Sequence, residues 1–458
     1  MKKRMLALLL TAAVAAGAAT GCSGSKDNKE TENSAAAGAS ESGEAEKSSE
    51  AAKTSGDDAV TLRFAWWGGD ERNQATLDVI DQFEADHPNV TIEAEYGGND
   101  GYHDKLATQL ASGTAADIVQ VDPEIFPTYV SAGDYFIDFD HYGMDMSNFE
   151  EAYVSIPING RYDGKQLGLP SGISGAGILV NKDLADKIGL DFTTPYTWDD
   201  LLEMGKKVHE YDDSLYLLCA NKEYIANLVV FNYGKQLTGK TLFDPDTKTM
   251  NITEDQLKQV FDYVKKLYDE GVVAPASYQA SYSGDNLQSD ANWIAGKYVA
   301  AFTYVSTIDV MTAANPNANY FMSALPVLEG STEAGWAANT PQVFAVTSTC
   351  ENPEMAVEFM NYFFNDDKAI ETLGCTRSVP ATEKARKLCT DKGLLSQTTM
   401  EGANIASAMG GTPNDKISSS PESKAILFDS VEGIGYGASD TAKVAEDAVS
   451  LLSGLSAQ

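Results

Sequence analysis

The chain has 458 residues, with 67 Asp and Glu against 33 Lys and Arg and a formal charge of −34. An excess of that size argues against nucleic acid as a partner. Five cysteines, none in a CxxC pair, are too few for a disulfide scaffold, and the length suits two domains or lobes.

In chain order, Lys2, Lys3 and Arg4 precede an apolar run from Met5 to Ala19 that ends at Ala19-Thr20-Gly21-Cys22. The run is short for a membrane span and its small residues suit a peptidase, so residues 1–21 are expected to be a secretory signal. Small residues directly before Cys22 resemble the lipobox of bacterial lipoproteins, which implies lipid on Cys22 and an anchor on the outer face of the cell membrane. Ala19 departs from that motif, which more often has leucine there. Loss of the three basic residues leaves a charge of about −37, read as solubility outside the cell. Residues 23–58 hold no aromatic or large aliphatic side chain and are expected to be a disordered tether.

Val60 to Trp67 reads as a strand, Arg72 to His87 as a helix stopped by Pro88, Val90 to Tyr96 as a strand and Tyr102 to Leu110 as a helix ending at Gly113. "ADIVQVD", Ala116 to Asp122, is a buried strand, so the order is βαβαβ with parallel pairing. Thr197 with Asp200, and Thr253 with Gln256, have capping-box spacing and open two helices. "AAFTYVS" from Ala300 and "QVFAVTS" from Gln342 are strands; Asn352-Pro353 starts a further helix and Asp440 to Leu452 forms the last. The fold class is α/β, with no internal repeat of fixed period.

Most enzyme signatures are missing. The four histidines show no HExxH or other ligand spacing, so no metal site is expected. "GISGA" at Gly172 lacks the last glycine of a nucleophile elbow, and "GIGYGA" at Gly433 follows no buried strand. Composition leaves a secreted glycoside hydrolase open, because 67 carboxylates supply many possible pairs. A surface lipoprotein for peptide or protein recognition also stays open.

In "RFAWWGGDER", Arg63 to Arg72, two tryptophans and two glycines end a strand. In open α/β sheets, ligands bind beyond the carboxyl ends of the strands. Asp122 ends the neighbouring strand and belongs to the same crevice. An indole offers apolar area to a pyranose face, while Asp70, Arg72 and Asp122 can hydrogen-bond hydroxyls. About 100 Å² of apolar surface per stacked ring corresponds to roughly 2.5 kcal/mol. Strand alternation sends Trp66 and Trp67 to opposite faces, so at least one can be packing, and the residues alone do not say which.

Read in order, "LRFAWWGGDERNQATLDVIDQFEADHPNVTIEAEY", "YHDKLATQLASGTAADIVQVD", "LGLPSGISGAGILVNKDLADKIGL", "YTWDDLLEMGKKV", "GKYVAAFTYVS", "LPVLEG", "NPEMAVEFMNYFFND" and "TRSVPA" resemble the extracellular solute-binding protein family 1. These are sugar-binding lipoproteins of bacterial ABC importers. The resemblance implies a two-lobed periplasmic-binding-protein-like fold of type II, each lobe a mixed sheet flanked by helices and hinged around a central cleft. Residues 59–170 with 303–341 would form lobe 1 and residues 171–302 with 342–458 lobe 2, with crossings near Pro170, Thr303 and Gln342. A carbohydrate, and more narrowly an oligosaccharide, would bind between the lobes without turnover or cofactor. The protein would act as a monomer that closes on the sugar and delivers it to transmembrane permease subunits. Carried onto this chain, the cleft would take Trp66, Trp67, Asp70, Arg72 and Asp122 from lobe 1, Tyr304 and Trp336 from the returning segment, and Arg377 from "TRSVPA". Trp198 and Trp293, at helix starts, read as packing residues. "WWGGDER" followed by "YHDKLATQL" is nearest to the branch associated with plant-wall oligosaccharides, and Arg72 and Arg377 could pair with uronate carboxylates or bind neutral hydroxyls.

Overall fold

The computed structural model describes residues 59–455, apart from Ser283 and Asp285. The leader, Cys22 and the tether lie outside the described residues. The first strand is β1 (Val60–Trp67), followed by helix α1 (Asp70–Asp86), β2 (Val90–Gly97), helix α2 (Tyr102–Ser112) and β3 (Ile118–Val121). β1 runs parallel to β2 on one side and to β3 on the other. Alternation along β1 sends Leu62, Phe64 and Trp66 to one face, where they join Val79, Ile80 and Phe83 of α1 in the main core. Ala65 on the other face packs with Leu106 and Leu110 of α2, four residues apart and therefore on one side of that helix. Gly113 closes α2 with a left-handed φ of 68° and donates to the Leu110 carbonyl, as a helix C-terminus requires.

Nine short strands follow. β4 (Arg161–Tyr162) and β5 (Lys165–Gln166) make a hairpin; β6 (Leu169–Pro170) and β7 (Gly172–Ile173) lead into β8 (Ala176–Asn181); then come β9 (Tyr216–Cys219), β10 (Tyr298–Tyr304), β11 (Tyr320–Ser323) and β12 (Val343–Val346). A last strand, β13 (Val379–Pro380), pairs with β7. Two mixed sheets result. The first has the order β2-β1-β3-β12-β6, with β12 antiparallel to both neighbours, and the second β11-β8-β10-β9, with only β10 and β9 parallel. Both capping boxes form: Thr197 accepts from the Asp200 amide and Asp200 from the Thr197 amide, and Thr253 and Gln256 do likewise. Trp198 and Trp293 are buried, each donating its indole N–H, to Gln236 and to the Met311 carbonyl. "GIGYGA" straddles the end of a helix, Pro421–Gly435.

The expected division of the later chain is corrected. Residues 303–341 do not join the first sheet, because β10 is paired on both sides through Ala301 and with β8 through Tyr304, and β11 then adds to β8 in the same second sheet. The chain returns to the first sheet between Ser323 and Val343, not near Thr303. Residues 343–346, expected in lobe 2, form β12 between β3 and β6. All four are apolar and fully buried, and a central strand covered on both faces meets that requirement. The helix Pro353–Asn365 follows them to the same side, where Phe359 packs edge-on to Phe64 and Phe83.

Candidate functional site

The parallel strands β1, β2 and β3 end together, and an open cavity of about 470 Å³ lies beyond those ends. It is lined by Trp67, Gly68, Gly69, Asp70, Glu71, Arg72, Asn99 and Thr376. Trp67, Asp70 and Arg72 therefore come together as expected from the strand-end argument. Gly68 leaves room for Arg72, which folds back across it so that a Cβ there would stand 2.6 Å from its Cδ. Arg72 donates to the Thr376 carbonyl at 3.3 Å and to the Trp67 carbonyl at 3.5 Å, and burial lowers its pKa.

Trp66 is corrected from ligand platform to core residue. It is 0 % exposed, stacks on Tyr96 at 5.0 Å and satisfies its indole N–H on Asn73 at 2.9 Å. Its partner Trp67 does line the cavity but is only 8 % exposed. For a ring system of up to about 250 Å², that is roughly 20 Å² of free surface, worth about 0.5 kcal/mol and not the 2.5 kcal/mol of an open platform. The rest of the indole packs against Tyr102 and, edge-on, His103.

Arg377 is also corrected. It is 4 % exposed and makes no part of the cavity wall; its guanidinium lies over Phe344 and Phe363. One nitrogen donates to Gln120 Oε1 at 2.5 Å and another to Thr76 Oγ1 at 2.7 Å. Gln120 in turn donates to the Trp67 carbonyl at 3.2 Å, and Thr76 to the Arg72 carbonyl at 2.7 Å. One buried cation thus holds the backbone of two cavity residues through two neutral side chains. Burial first, and then the charge of Arg72, pushes Arg377 down to about 9, so it is still protonated at neutral pH.

Asp122, expected in the same crevice, directly follows β3 but does not line the cavity; it turns back on its own loop, accepting from the Glu124 amide. Its charge reaches His103, where burial lowers the pKa and Asp122 opposes that effect. Neither ring nitrogen of His103 has a hydrogen-bond partner within the described chain.

A second group stands at the carboxyl ends of β9 and β10 in the other sheet. Tyr304 closes β10, and its ring lies 5.1 Å from Tyr224 and 6.2 Å from Trp336. Tyr224 follows β9 directly, on a turn of helix capped by Asn221. Trp336 is held by its backbone: its carbonyl accepts from the Gly411 amide at 3.0 Å, and a Cβ on Gly411 would be 2.3 Å from that oxygen. Glu333 ties the two loops, accepting from Gly335 and from the amide and hydroxyl of Thr412. Beneath them the buried Lys235 donates to the Thr412 carbonyl at 2.7 Å, and burial lowers its pKa to about 8. The indole N–H of Trp336 is buried without a partner in the described chain.

Asn99, Glu71, Thr376, His103 and Tyr224 were not read from the sequence as site residues. The strand-end rule would have found Tyr224 had "YLLC" been taken as a strand; Thr376 reaches the cavity from more than 250 residues away in sequence and carries no local signal. Among the described residues no cluster of His, Cys, Asp or Glu could hold a metal ion, and no helix is long and apolar enough to cross a membrane.

Comparison with known proteins supplies the family. A model described as bacterial extracellular solute-binding protein matches residues 78–395. The arabinooligosaccharide-binding protein of Halalkalibacterium halodurans is 26% identical over 182 residues, 39% of this chain and 38% of that protein. Among solved structures, a periplasmic oligogalacturonide binding protein from Yersinia enterocolitica, in complex with saturated digalacturonic acid, is 25% identical with a TM-score of 0.58, covering 87% of this chain and 99% of its own. A family 1 extracellular solute-binding protein from Alicyclobacillus acidocaldarius has a TM-score of 0.76 at 22% identity, over 88% and 100% of the two chains, and bears on the fold alone. Two mixed sheets with side chains gathered at their strand ends, and a family match spanning both, lead to one conclusion: the chain belongs to the bacterial extracellular solute-binding proteins.

Proposed function

We propose that this protein is an extracytoplasmic receptor for an oligosaccharide, which it takes between its two lobes and delivers to the permease of an ABC importer. The observation that carries this reading is the gathering of aromatic and polar groups at strand ends in both sheets: Trp67, Asp70 and Arg72 in one, Tyr224, Tyr304 and Trp336 in the other. Rings for sugar faces and carboxylate, amide and guanidinium groups for hydroxyls are what a glycan needs. The arabinooligosaccharide-binding relative and the digalacturonic acid complex support the ligand class. Lipid on Cys22 and the tether after it would hold the receptor beside its permease.

Isothermal titration of protein lacking residues 1–58 against neutral and uronic oligosaccharides, with the glycans analysed afterwards, tests this. Micromolar binding with intact glycans is expected. Shortened glycans would make the protein a hydrolase, and no binding across the panel would remove the sugar-receptor reading.

A further inference from the structure

Two of the four described cysteines face one another. Cys219 and Cys350 are buried apart from them, and burial raises both thiols. Cys375 is partly exposed, on the turn between the helix Asp367–Leu373 and β13, while Cys389 is 1 % exposed on the helix Glu383–Asp391. Both are free thiols that interact with one another, which lowers the pKa of Cys375 and raises that of Cys389. A second link fixes the same two segments. Cys375 Sγ lies 3.5 Å from the Leu394 carbonyl, and the Leu394 amide donates to the Cys389 carbonyl at 2.8 Å.

The turn that carries Cys375 is conformationally costly. Ser378 has a φ of 106°, a region that side-chain-bearing residues seldom occupy, whereas Gly374 takes its φ of 50° as a glycine can. It also carries Thr376, whose carbonyl accepts from Arg72, and Arg377, which holds Gln120 and Thr76. Anything that restrains this turn therefore restrains the cavity floor.

We propose that Cys375 and Cys389 form a disulfide outside the cytoplasm, and that the bond clamps the turn bearing Thr376 and Arg377. The oxidant is a small or protein disulfide, acting by exchange. The accessible Cys375 thiolate attacks one oxidant sulfur, forming a mixed disulfide and releasing one thiol. Cys389 then loses its proton and attacks Cys375 Sγ, releasing the second thiol. The pair gives up two electrons and two protons, and the oxidant leaves as two thiols. An extracytoplasmic family is where such a bond persists.

The test uses the full-length protein, isolated without reductant, alkylated with iodoacetamide and mapped by peptide mass. The same map is made after full reduction and incubation with oxidised glutathione. A cross-linked peptide joining Cys375 to Cys389, lighter by two hydrogens than the two thiol peptides, is expected in both. Reduction should lower the Tm by about 5 °C, and Cys375→Ser should abolish that reductant dependence. Alkylation of both cysteines without prior reduction, or a stable glutathione adduct on Cys375 beside an alkylated Cys389, would overturn the proposal.

Discussion

Replacing Gln120 by Glu separates positioning from packing at the cavity floor. Gln120 is fully buried and works in two directions, accepting from Arg377 and donating to the Trp67 carbonyl at 3.2 Å. Glu keeps the shape and the acceptor for Arg377, now as a charge pair, but turns the donor into a second acceptor facing that carbonyl. Leaving a buried carbonyl without its partner costs about 1–3 kcal/mol. Arg72, whose Nη1 is 3.5 Å from the same oxygen, recovers part of that, which puts the cost near the lower end. At about 1.4 kcal/mol per tenfold, the expected loss of affinity is about five- to tenfold, because the bound state needs Trp67 and Gly68 in place and the free state can relax. The gain of a charge pair with Arg377 should keep the Tm close to that of the unaltered protein. Gln120→Met is the contrast: it removes a bond to a buried cation, worth about 1.5–3 kcal/mol, and should lower the Tm as well. The assays are titration with the tightest oligosaccharide of the panel and thermal unfolding without ligand. Gln120→Glu that is fully folded and binds at unaltered affinity would refute the relay from Arg377 through Gln120 to the site.

Trp66→Ala should destabilise by about 3–5 kcal/mol, read by urea unfolding, because a fully buried indole leaves a cavity. Trp336→Ala should do the reverse, weakening oligosaccharide binding about tenfold or more by titration with little change in Tm, since its ring is only partly buried. Lys235 gives a pH dependence. Its folded value of about 8 lies below its ordinary 10.5, so the cost of burying the charge is fully present below pH 8. Between about pH 8 and 10.5 the unfolded chain binds more protons than the folded one, and stability therefore rises with pH, by roughly 3 kcal/mol in all. Between about pH 7 and 10.5 the unfolding free energy of the protein should rise relative to that of Lys235→Met; a constant difference would contradict it.

Much of this was legible in the sequence because the signals are local. The period-two pattern of Val60–Trp67, the three- and four-residue spacing of Ala75, Val79, Ile80 and Phe83, and the paired caps at Thr197 and Thr253 each specify their element within one or two turns of chain. The strand-end rule then placed Trp67, Asp70 and Arg72 on one cavity, since it needs only the direction of the strands. Only the tertiary structure decided the rest. Trp66 and Trp67 are adjacent and chemically identical, and what separates them is α1 lying over one face of β1 and His103 and Tyr102 over the other. Arg377 had the chemistry of a ligand contact, but Thr76 and Gln120, both distant in sequence, take its hydrogen bonds into the interior. The sheet that claims β12 was likewise decided by partners in β3 and β6. Local periodicity sets which residues share a face, whereas burial and function depend on what the rest of the chain brings against that face.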